Sequence, residues 1–375
     1  MMLRPLFISV IFGALIGGST ALYTLGLEKI QIFHQAETLY PLGLIFVFSL
    51  IYFVKRQTLF FPTQVYQVVI SSEIEQRHWS SLSYVWNILG SWMSHLAGAS
   101  LGREGTSIVL ASSLAQLCRL NWKYYQPIVI SAAFACVIGQ PFIAIIFMME
   151  MFATNFDQKI FSVVMAWVGF LVMQSLSVQP LFKLITVDLS VSFGDKLMVV
   201  VLIGIIIGLT TQIFKYSYIM LSDFFMKNKL IAVLVVIILS WIFFQPQMKP
   251  LHSLSLNVLS EIQTGRSDLQ LLFLKMIFTL LFISLGFIGG DFIPAIIIGS
   301  GIGVSVANFF NVSFTFGLVM GLMAFFTGLT RLKWTSLWII FFLSGFQVML
   351  WGYLCLSITR QLCGPDSLYK KISLT

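Results

Sequence analysis

Apolar runs follow one another along this chain with only short polar breaks. They cover residues 6–32, 40–54, 84–101, 106–118, 127–138, 141–154, 159–179, 196–222, 229–245, 270–288, 293–310, 314–329 and 335–358. A simple bilayer span needs about 20 apolar residues. Several of these runs are well short of that and suit half-helices or re-entrant pieces, whereas 196–222 is long enough to cross at a tilt. The mixture predicts an all-α polytopic membrane protein of tilted and broken helices rather than a plain bundle. The first run, after Met1-Met2-Leu3-Arg4-Pro5, starts like a signal peptide but is too long for one and lacks a cleavage site. It reads as a retained first membrane helix.

Composition agrees. Of 375 residues 58% are hydrophobic and 10% charged, against about 25% charged in a soluble domain. The net charge of +8 is scattered between apolar runs, with no basic stretch that would suit nucleic acid. It reads as a set of topology determinants. The 27 glycines and 36 phenylalanines fit close helix packing and lipid-facing surface. Cys118, Cys136, Cys355 and Cys363 have no CxxC spacing and read as small packing residues rather than metal ligands or disulfides. No paired His, Asp or Glu set suggests an enzyme, a metal or a cofactor.

Two breaks stand out. Ser100-Leu101-Gly102 leads into Arg103-Glu104-Gly105 and a run of small residues; Ser284-Leu285-Gly286 leads into Gly289-Gly290-Asp291-Phe292-Ile293-Pro294 and the run Ala295–Gly303. Paired interruptions in two halves point to the binding site of a transporter. The halves are expected at 1–179 and 197–375, with a linker at 180–196 where Asp188 and Asp195 cluster.

Each break puts a helix start just after glycine, and a helix N-terminus offers unpartnered N–H groups and about half a positive charge. Gly105 to Ser107 and Phe292 to Ala295 would supply such amides, with Pro294 suited to a first turn. A third start, after Gln140-Pro141, has the same look. Glu104, an ionisable group at membrane depth, is a functional candidate by default; as a carboxylate it would occupy an anion site, and on protonation it would leave. Adjacent residues seldom face each other on a helix, so Arg103 is expected to turn to carbonyls or the aqueous side, an ion pair with Glu104 being the competing reading. Asp291 reads first as a helix cap and second as part of an ion site. Glu150 reads as a paired structural acid, with a second proton stop as the alternative. His95 is expected to hydrogen-bond between helices, and Arg331 and Lys333 to mark an aqueous edge.

These motifs resemble those of the CLC chloride channel and transporter family. Gly102-Arg103-Glu104-Gly105 is similar to its signature, Gly289 to Pro294 to its Gly-Gly-x-Phe-x-Pro motif, and Ala132-Ala133-Phe134 through Pro141 and Phe147 to Glu150 to the segment between. Leu368-Tyr369 resembles the stretch that carries the pore tyrosine. The resemblance implies an inverted repeat of tilted and broken helices, a homodimer with two separate pores, a multi-pass position in the inner membrane, and halide anions and protons as partners. It implies Glu104 as the gate and Gly102, Arg103, Gly105, Thr106, Gly290, Asp291, Phe292, Ile293 and Tyr369 around the anion, with Val65, Tyr66 and Glu150 as weaker candidates. It also implies a short member with no cytoplasmic nucleotide-binding domain.

The chain departs from the family pattern in several places. Thr106 replaces the usual proline, and Met151 stands where coupled chloride exchangers carry a proton acceptor; both resemble the fluoride-exporting branch. The serine-bearing loop has no counterpart, Thr63 to Val69 standing in its place, while Phe292 keeps the ordinary family residue. The reading leans to fluoride/proton exchange. A passive chloride channel and a transport-dead scaffold are the alternatives.

Overall fold

The computed structural model describes residues 3–36, 42–55, 63–70, 82–179, 184–243 and 245–369, and among them every regular element is helical. The first series is α1 (Leu3–Ala36), α2 (Leu42–Lys55), α3 (Val65–Ile70), α4 (Ser83–Leu96), α5 (Glu104–Leu117), α6 (Trp122–Ile138), α7 (Ile143–Met151) and α8 (Phe156–Ser175). The second is α9 (Phe193–Lys227), α10 (Lys229–Phe243), α11 (Leu256–Gln263), α12 (Leu269–Leu285), α13 (Phe292–Phe309), α14 (Phe314–Thr330), α15 (Lys333–Ser344) and α16 (Phe346–Leu362), with a 3-10 turn at Pro246–Leu251 before α11.

The two series follow one plan. A long helix opens each, 34 residues in α1 and 35 in α9, and packs along the helix that closes its series, α1 on α8 and α9 on α16. In each, the fifth helix packs on the sixth, α5 on α6 and α13 on α14, and α7 meets α15 across the molecule. Helix starts are set by local chemistry. Asp268 accepts from the Gln270 and Leu271 amides at 2.9 and 3.2 Å to cap α12, and Asn155 and Gln158 form a capping box on α8, each satisfying donors that a first turn leaves open.

Helix contact inside a membrane comes from packing rather than from exclusion of water, so small residues mark the seams. In α13 and α14 the pairs Gly299/Gly303 and Gly317/Gly321 face each other. A Cβ at Gly303 would stand 2.8 Å from the Gly317 carbonyl carbon, and one at Gly321 would stand 2.9 Å from the Gly303 Cα. Helices α1, α8, α9 and α13 are long and apolar enough to cross a bilayer. Large apolar side chains such as Leu230, Trp241, Phe193 and Phe156 lie on the outside, the surface that lipid requires.

The structure changes three details of the sequence reading. The run 335–358 is two helices, broken at Gly345 with φ +86° and ψ 178°, a conformation open essentially to glycine. Short α3 and α11 add helices that hydropathy did not mark. Cys118 is exposed, whereas Cys136, Cys355 and Cys363 are buried, and all four are free thiols.

We expect Gly303→Ala to wedge α13 and α14 apart, because its new methyl group meets backbone that cannot rotate away. Overpacking of this kind costs about 1–3 kcal/mol, so the melting temperature of the purified protein in detergent should fall. An unchanged melting temperature would mean that the two helices are not seated at backbone contact.

Candidate functional site

The site is built on two chain breaks that meet. Helix α4 stops at Leu96, and Gly98, at φ +87°, turns the chain into an extended stretch leading to α5. Helix α12 stops at Leu285, and Gly286, at φ +86°, does the same ahead of α13. The two stretches pair. The Gly102 amide donates to the Gly290 carbonyl at 2.6 Å, and the Gly290 amide to the Gly102 carbonyl at 2.6 Å. A Cβ on Gly290 would sit 2.8 Å from the Gly105 nitrogen, and one on Gly102 would sit 3.0 Å from the Ile293 nitrogen. Backbone occupies the side-chain volume at Gly290 and presses close on it at Gly102.

This geometry shifts the register of the two halves. Equivalent positions are Gly98 and Gly286, Gly102 and Gly290, and the N-caps Arg103 and Asp291. Sequence reading had matched Ser100-Leu101-Gly102 with Ser284-Leu285-Gly286 on residue names. The first residues of the two helices, Glu104 and Phe292, are therefore counterparts, and the two first turns lie side by side.

A polar layer holds the first break from behind. The Leu101 amide donates to the Ser253 carbonyl at 3.3 Å, and the Ser253 amide to the Gly98 carbonyl at 3.3 Å. Lys275 of α12, fully buried, donates from Nζ to the same Ser253 carbonyl at 3.2 Å and to Ser255 Oγ at 2.8 Å. His95 Nδ1 lies 3.0 Å from Ser253 Oγ, so it does join separate elements by a hydrogen bond. Ser253 and Ser255 are both left-handed, at φ 54°, strain of a kind that persists only where surroundings enforce it.

Glu104 is buried, and its Oε1 lies 3.2 Å from Arg103 Nε, while Oε2 accepts from the Arg103 amide at 3.3 Å. The expected turn of Arg103 toward carbonyls or water is thus corrected: the two residues form an ion pair. The adjacency rule applies within a helix, but Arg103 is the N-cap of α5, one residue ahead of the helix proper. Asp291 is corrected as well. It occupies the N-cap position of α13, yet its side chain makes no capping hydrogen bond.

Asp291 instead faces a small cavity of about 40 Å³ whose wall is formed by Gln64, Val65, Gly105, Tyr218, Ile283, Gly289, Gly290, Asp291, Leu368 and Tyr369. Five of the sequence candidates, Val65, Gly105, Gly290, Asp291 and Tyr369, come together there. Glu104 and Arg103 lie just outside the wall at the start of α5, and Gly102 is taken up by the bridge to Gly290. The Thr106 hydroxyl is turned toward the Tyr23 hydroxyl on α1, which bonds Ser91 Oγ at 2.7 Å. Phe292 and Ile293 are buried behind the cavity. The Phe292 ring meets Phe326 edge-on at 4.9 Å, and Phe326 in turn meets Tyr369 at 6.3 Å. The side chain of Tyr66 lies outside the described residues.

Three wall residues were not anticipated. Gln64, Tyr218 and Ile283 line both this cavity and a wider vestibule of about 640 Å³ between α2, α9, α10 and α12. Tyr218 donates to Gln64 Oε1 at 2.5 Å, closing the neck between the two spaces. A tyrosine in a long apolar helix carries no sequence signal for such a role. Short α3 is fixed at its other end by Gln126, whose Nε2 donates to the Val68 and Val69 carbonyls at 2.8 Å each.

The remaining candidates lie elsewhere. The third helix start, at Gln140-Pro141, does not contribute to the cavity wall, and Phe142 beside it is exposed against Trp167. Glu150 is structural, as favoured from sequence: it accepts from the Trp334 amide at 3.0 Å, the Thr335 amide at 2.8 Å and Thr335 Oγ1 at 2.9 Å, capping α15. Lys333 is buried, not aqueous, with its Nζ 3.6 Å from the centre of the Tyr353 ring, and Arg331 donates to the Gly364 carbonyl. Among the described residues no cluster of three His, Cys, Asp or Glu could hold a metal.

Apolar spanning helices, broken helices meeting in the interior and a buried carboxylate at one helix start define an integral, multi-pass membrane protein of the all-α class. A sequence profile of the voltage gated chloride channel family matches residues 60–363, and the chain belongs to that family, the CLC proteins. It is 29% identical over 266 residues to a protein called Chloride/fluoride channel protein from Pseudomonas syringae pv. tomato (strain ATCC BAA-871 / DC3000), a match that covers 64% of this chain and 58% of that protein. The fold is similar to the crystal structure of a CLC-type fluoride/proton antiporter (TM-score 0.86, 20% identity, 98% of this chain and 96% of that one). It is also similar to a slow cyanobacterial Cl-/H+ antiporter (TM-score 0.78, 16% identity, 98% and 96%) and to a eukaryotic CLC transporter (TM-score 0.71, 17% identity, 97% and 73%).

Glu150→Gln keeps the shape of the α15 cap but removes its charge. Hydrogen bonds to a charged group contribute about 1.5–3 kcal/mol, so we expect a lower melting temperature with little change at the cavity, measured by thermal unfolding and by halide binding. A wild-type melting temperature would show that the cap contributes nothing.

Proposed function

We propose that this protein moves a halide anion across the inner membrane, leaning to fluoride export in exchange for protons, with Glu104 as the proton-sensitive gate. The observation that carries the reading is the meeting of the first turns of α5 and α13 beside one cavity through the Gly102–Gly290 pair. Their amides have no intrahelical partners, and each helix start adds about half a positive charge. Among the described residues no lysine or arginine lines the wall. An anion would therefore be attracted without meeting a full charge that traps it.

Two carboxyl groups govern access. Ionised Glu104, held by Arg103, is itself an anion at the α5 start and competes with the permeant ion. Protonation weakens the ion pair and frees that position, so proton and anion occupancy are linked. Asp291 on the wall adds a second condition, since an anion beside it is tolerated only when that carboxyl is neutral. Opening of the Tyr218–Gln64 hydrogen bond would join the cavity to the vestibule, which serves as the aqueous approach. The halves 1–179 and 197–375, joined by 180–196, act as the two repeats, and two copies form a homodimer with separate pores.

A passive channel is the second reading, favoured by Met151. It is buried at the end of α7 at the position matched to a proton acceptor in coupled exchangers, while the neighbouring Glu150 is committed to α15.

Purified protein in liposomes loaded with potassium fluoride or chloride, with ion-selective electrodes outside, decides among these. We expect fluoride efflux to exceed chloride efflux by at least about tenfold, equivalent to about 1.4 kcal/mol, with proton uptake in the opposite direction. A ratio near one would overturn the fluoride lean, and efflux without proton movement would favour the passive channel. No movement of either ion by well-folded protein would sink the transport reading. Glu104→Gln should abolish proton coupling while anion movement persists or accelerates; a variant with the wild-type pH dependence would exclude Glu104 as the gate.

A further inference from the structure

Gly364 to Tyr369 runs from the end of α16 back to the cavity, and it is tied down by two cations from distant parts of the chain. Arg331, just after α14, donates from Nη1 to the Gly364 carbonyl. Lys215 of α9, buried at 3% exposure, donates from Nζ to the Asp366 carbonyl at 2.7 Å. Just beyond these anchors the Ser367 hydroxyl donates to the Thr330 carbonyl at 2.7 Å and accepts from the Tyr369 amide at 3.2 Å, while the Leu368 amide donates to the Leu329 carbonyl at 2.9 Å. Tyr369 is the next residue, and it is on the cavity wall.

Two further observations make this more than a packed terminus. Neither cation has a carboxylate within 4.0 Å among the described residues, where Arg103–Glu104 is the recorded ion pair. Both instead serve backbone carbonyls of the segment just past α16, and Arg331 is itself the C-cap of α14. Helix C-termini carry about half a negative charge each, and such ends close to an anion cavity would raise the cost of occupying it. Arg331 is also left-handed at φ 63°, a position where glycine is the relaxed choice. Retaining a strained arginine there is explained by what its guanidinium does.

We propose that Lys215 and Arg331 are positioning residues that set the anion affinity of the cavity, clamping the Tyr369 segment and offsetting the negative ends of α14 and α16. The proposal rests on the anion-transport reading above and names the groups that tune its site.

Lys215→Met and Arg331→Met, alone and combined with Tyr369→Phe, test it through the fluoride concentration dependence of liposome flux. Each single variant should raise the apparent KM for fluoride about tenfold while maximal flux changes far less, and Lys215→Arg should restore most of the affinity. In the Tyr369→Phe background the same substitutions should matter much less, because clamp and hydroxyl act through one segment. A wild-type KM in either variant, or equal effects in both backgrounds, would overturn the proposal. Should Arg331→Met fold poorly, Arg331→Gly removes the cation and relaxes the backbone together. It should raise KM without lowering the melting temperature, and an unchanged KM would again overturn the clamp. Hydrogen exchange at the Leu368 and Tyr369 amides gives a readout independent of transport: it should quicken in Lys215→Met. Protein that moves no halide but shows this quickening would refute the transport reading and retain the clamp, whereas wild-type exchange in the variant would refute the clamp itself.

Discussion

The structure depends on two hydrogen bonds exchanged between Gly102 and Gly290, at 2.6 Å each way. A helix that stops inside a membrane leaves amides and carbonyls with no water to satisfy them, and such backbone survives only when buried in protein or lining a cavity. Here two interrupted stretches satisfy each other. The exchange lets both breaks exist, and it forces the helix starts that follow to lie together. A Cβ at Gly290 would collide with backbone and one at Gly102 would crowd it, so the same two positions fix the spacing of the first turns of α5 and α13.

The ionisable side chains of the interior then sort themselves around that junction. Each isolated charge in an apolar medium needs partners, and most have found structural ones: Glu150 on the amides of α15, Lys275 on the Ser253 carbonyl and Ser255 hydroxyl, Lys215 on a backbone carbonyl. Glu104 is paired with its neighbour through a flexible arginine side chain, an arrangement that a proton can dissolve. Asp291 differs from all of them, because its side chain is spent neither on a cap nor on an ion pair and is directed to the cavity. The charged turn at Arg331 and Lys333 is thus no aqueous edge; both side chains have definite partners in the fold.

Much of this was legible from residues. Hydropathy located the helices because lipid demands apolar length, and the two glycine-rich breaks were visible as interruptions carrying acids. The register between them was not, since it follows from backbone torsion: Gly98 and Gly286 share a left-handed φ, whereas serine–leucine–glycine triplets match only by name. The break at Gly345 was hidden because the run around it contains few polar residues. Lys215, Tyr218 and Lys275 were missed for another reason. None follows a spacing pattern that sets it apart, Lys215 and Tyr218 standing in the polar stretch Lys215-Tyr216-Ser217-Tyr218 of α9 and Lys275 alone in apolar α12, and the meaning of each comes from partners supplied by other segments. The Arg103–Glu104 pair was misjudged because adjacency was weighed as though both residues were helical.

Val65 shows what the altered wall means for recognition. It stands on the cavity wall where the family resemblance would lead one to look for a serine, and it brings no donor. Among the described residues two tyrosines line the wall, and Tyr218 donates its hydroxyl hydrogen to Gln64. Tyr369 is left as the wall hydroxyl with no recorded protein hydrogen bond among the described residues. An anion in this cavity would therefore rely on backbone amides of the two helix starts and on one phenol. Backbone amides at a helix start are fixed in direction by the helix and cost no side-chain ordering to align. Such a site favours an anion small enough to sit close to the amides. Affinity then depends on how rigidly the one phenol is held, which brings the burden back to the segment anchored between α9, α14 and α16.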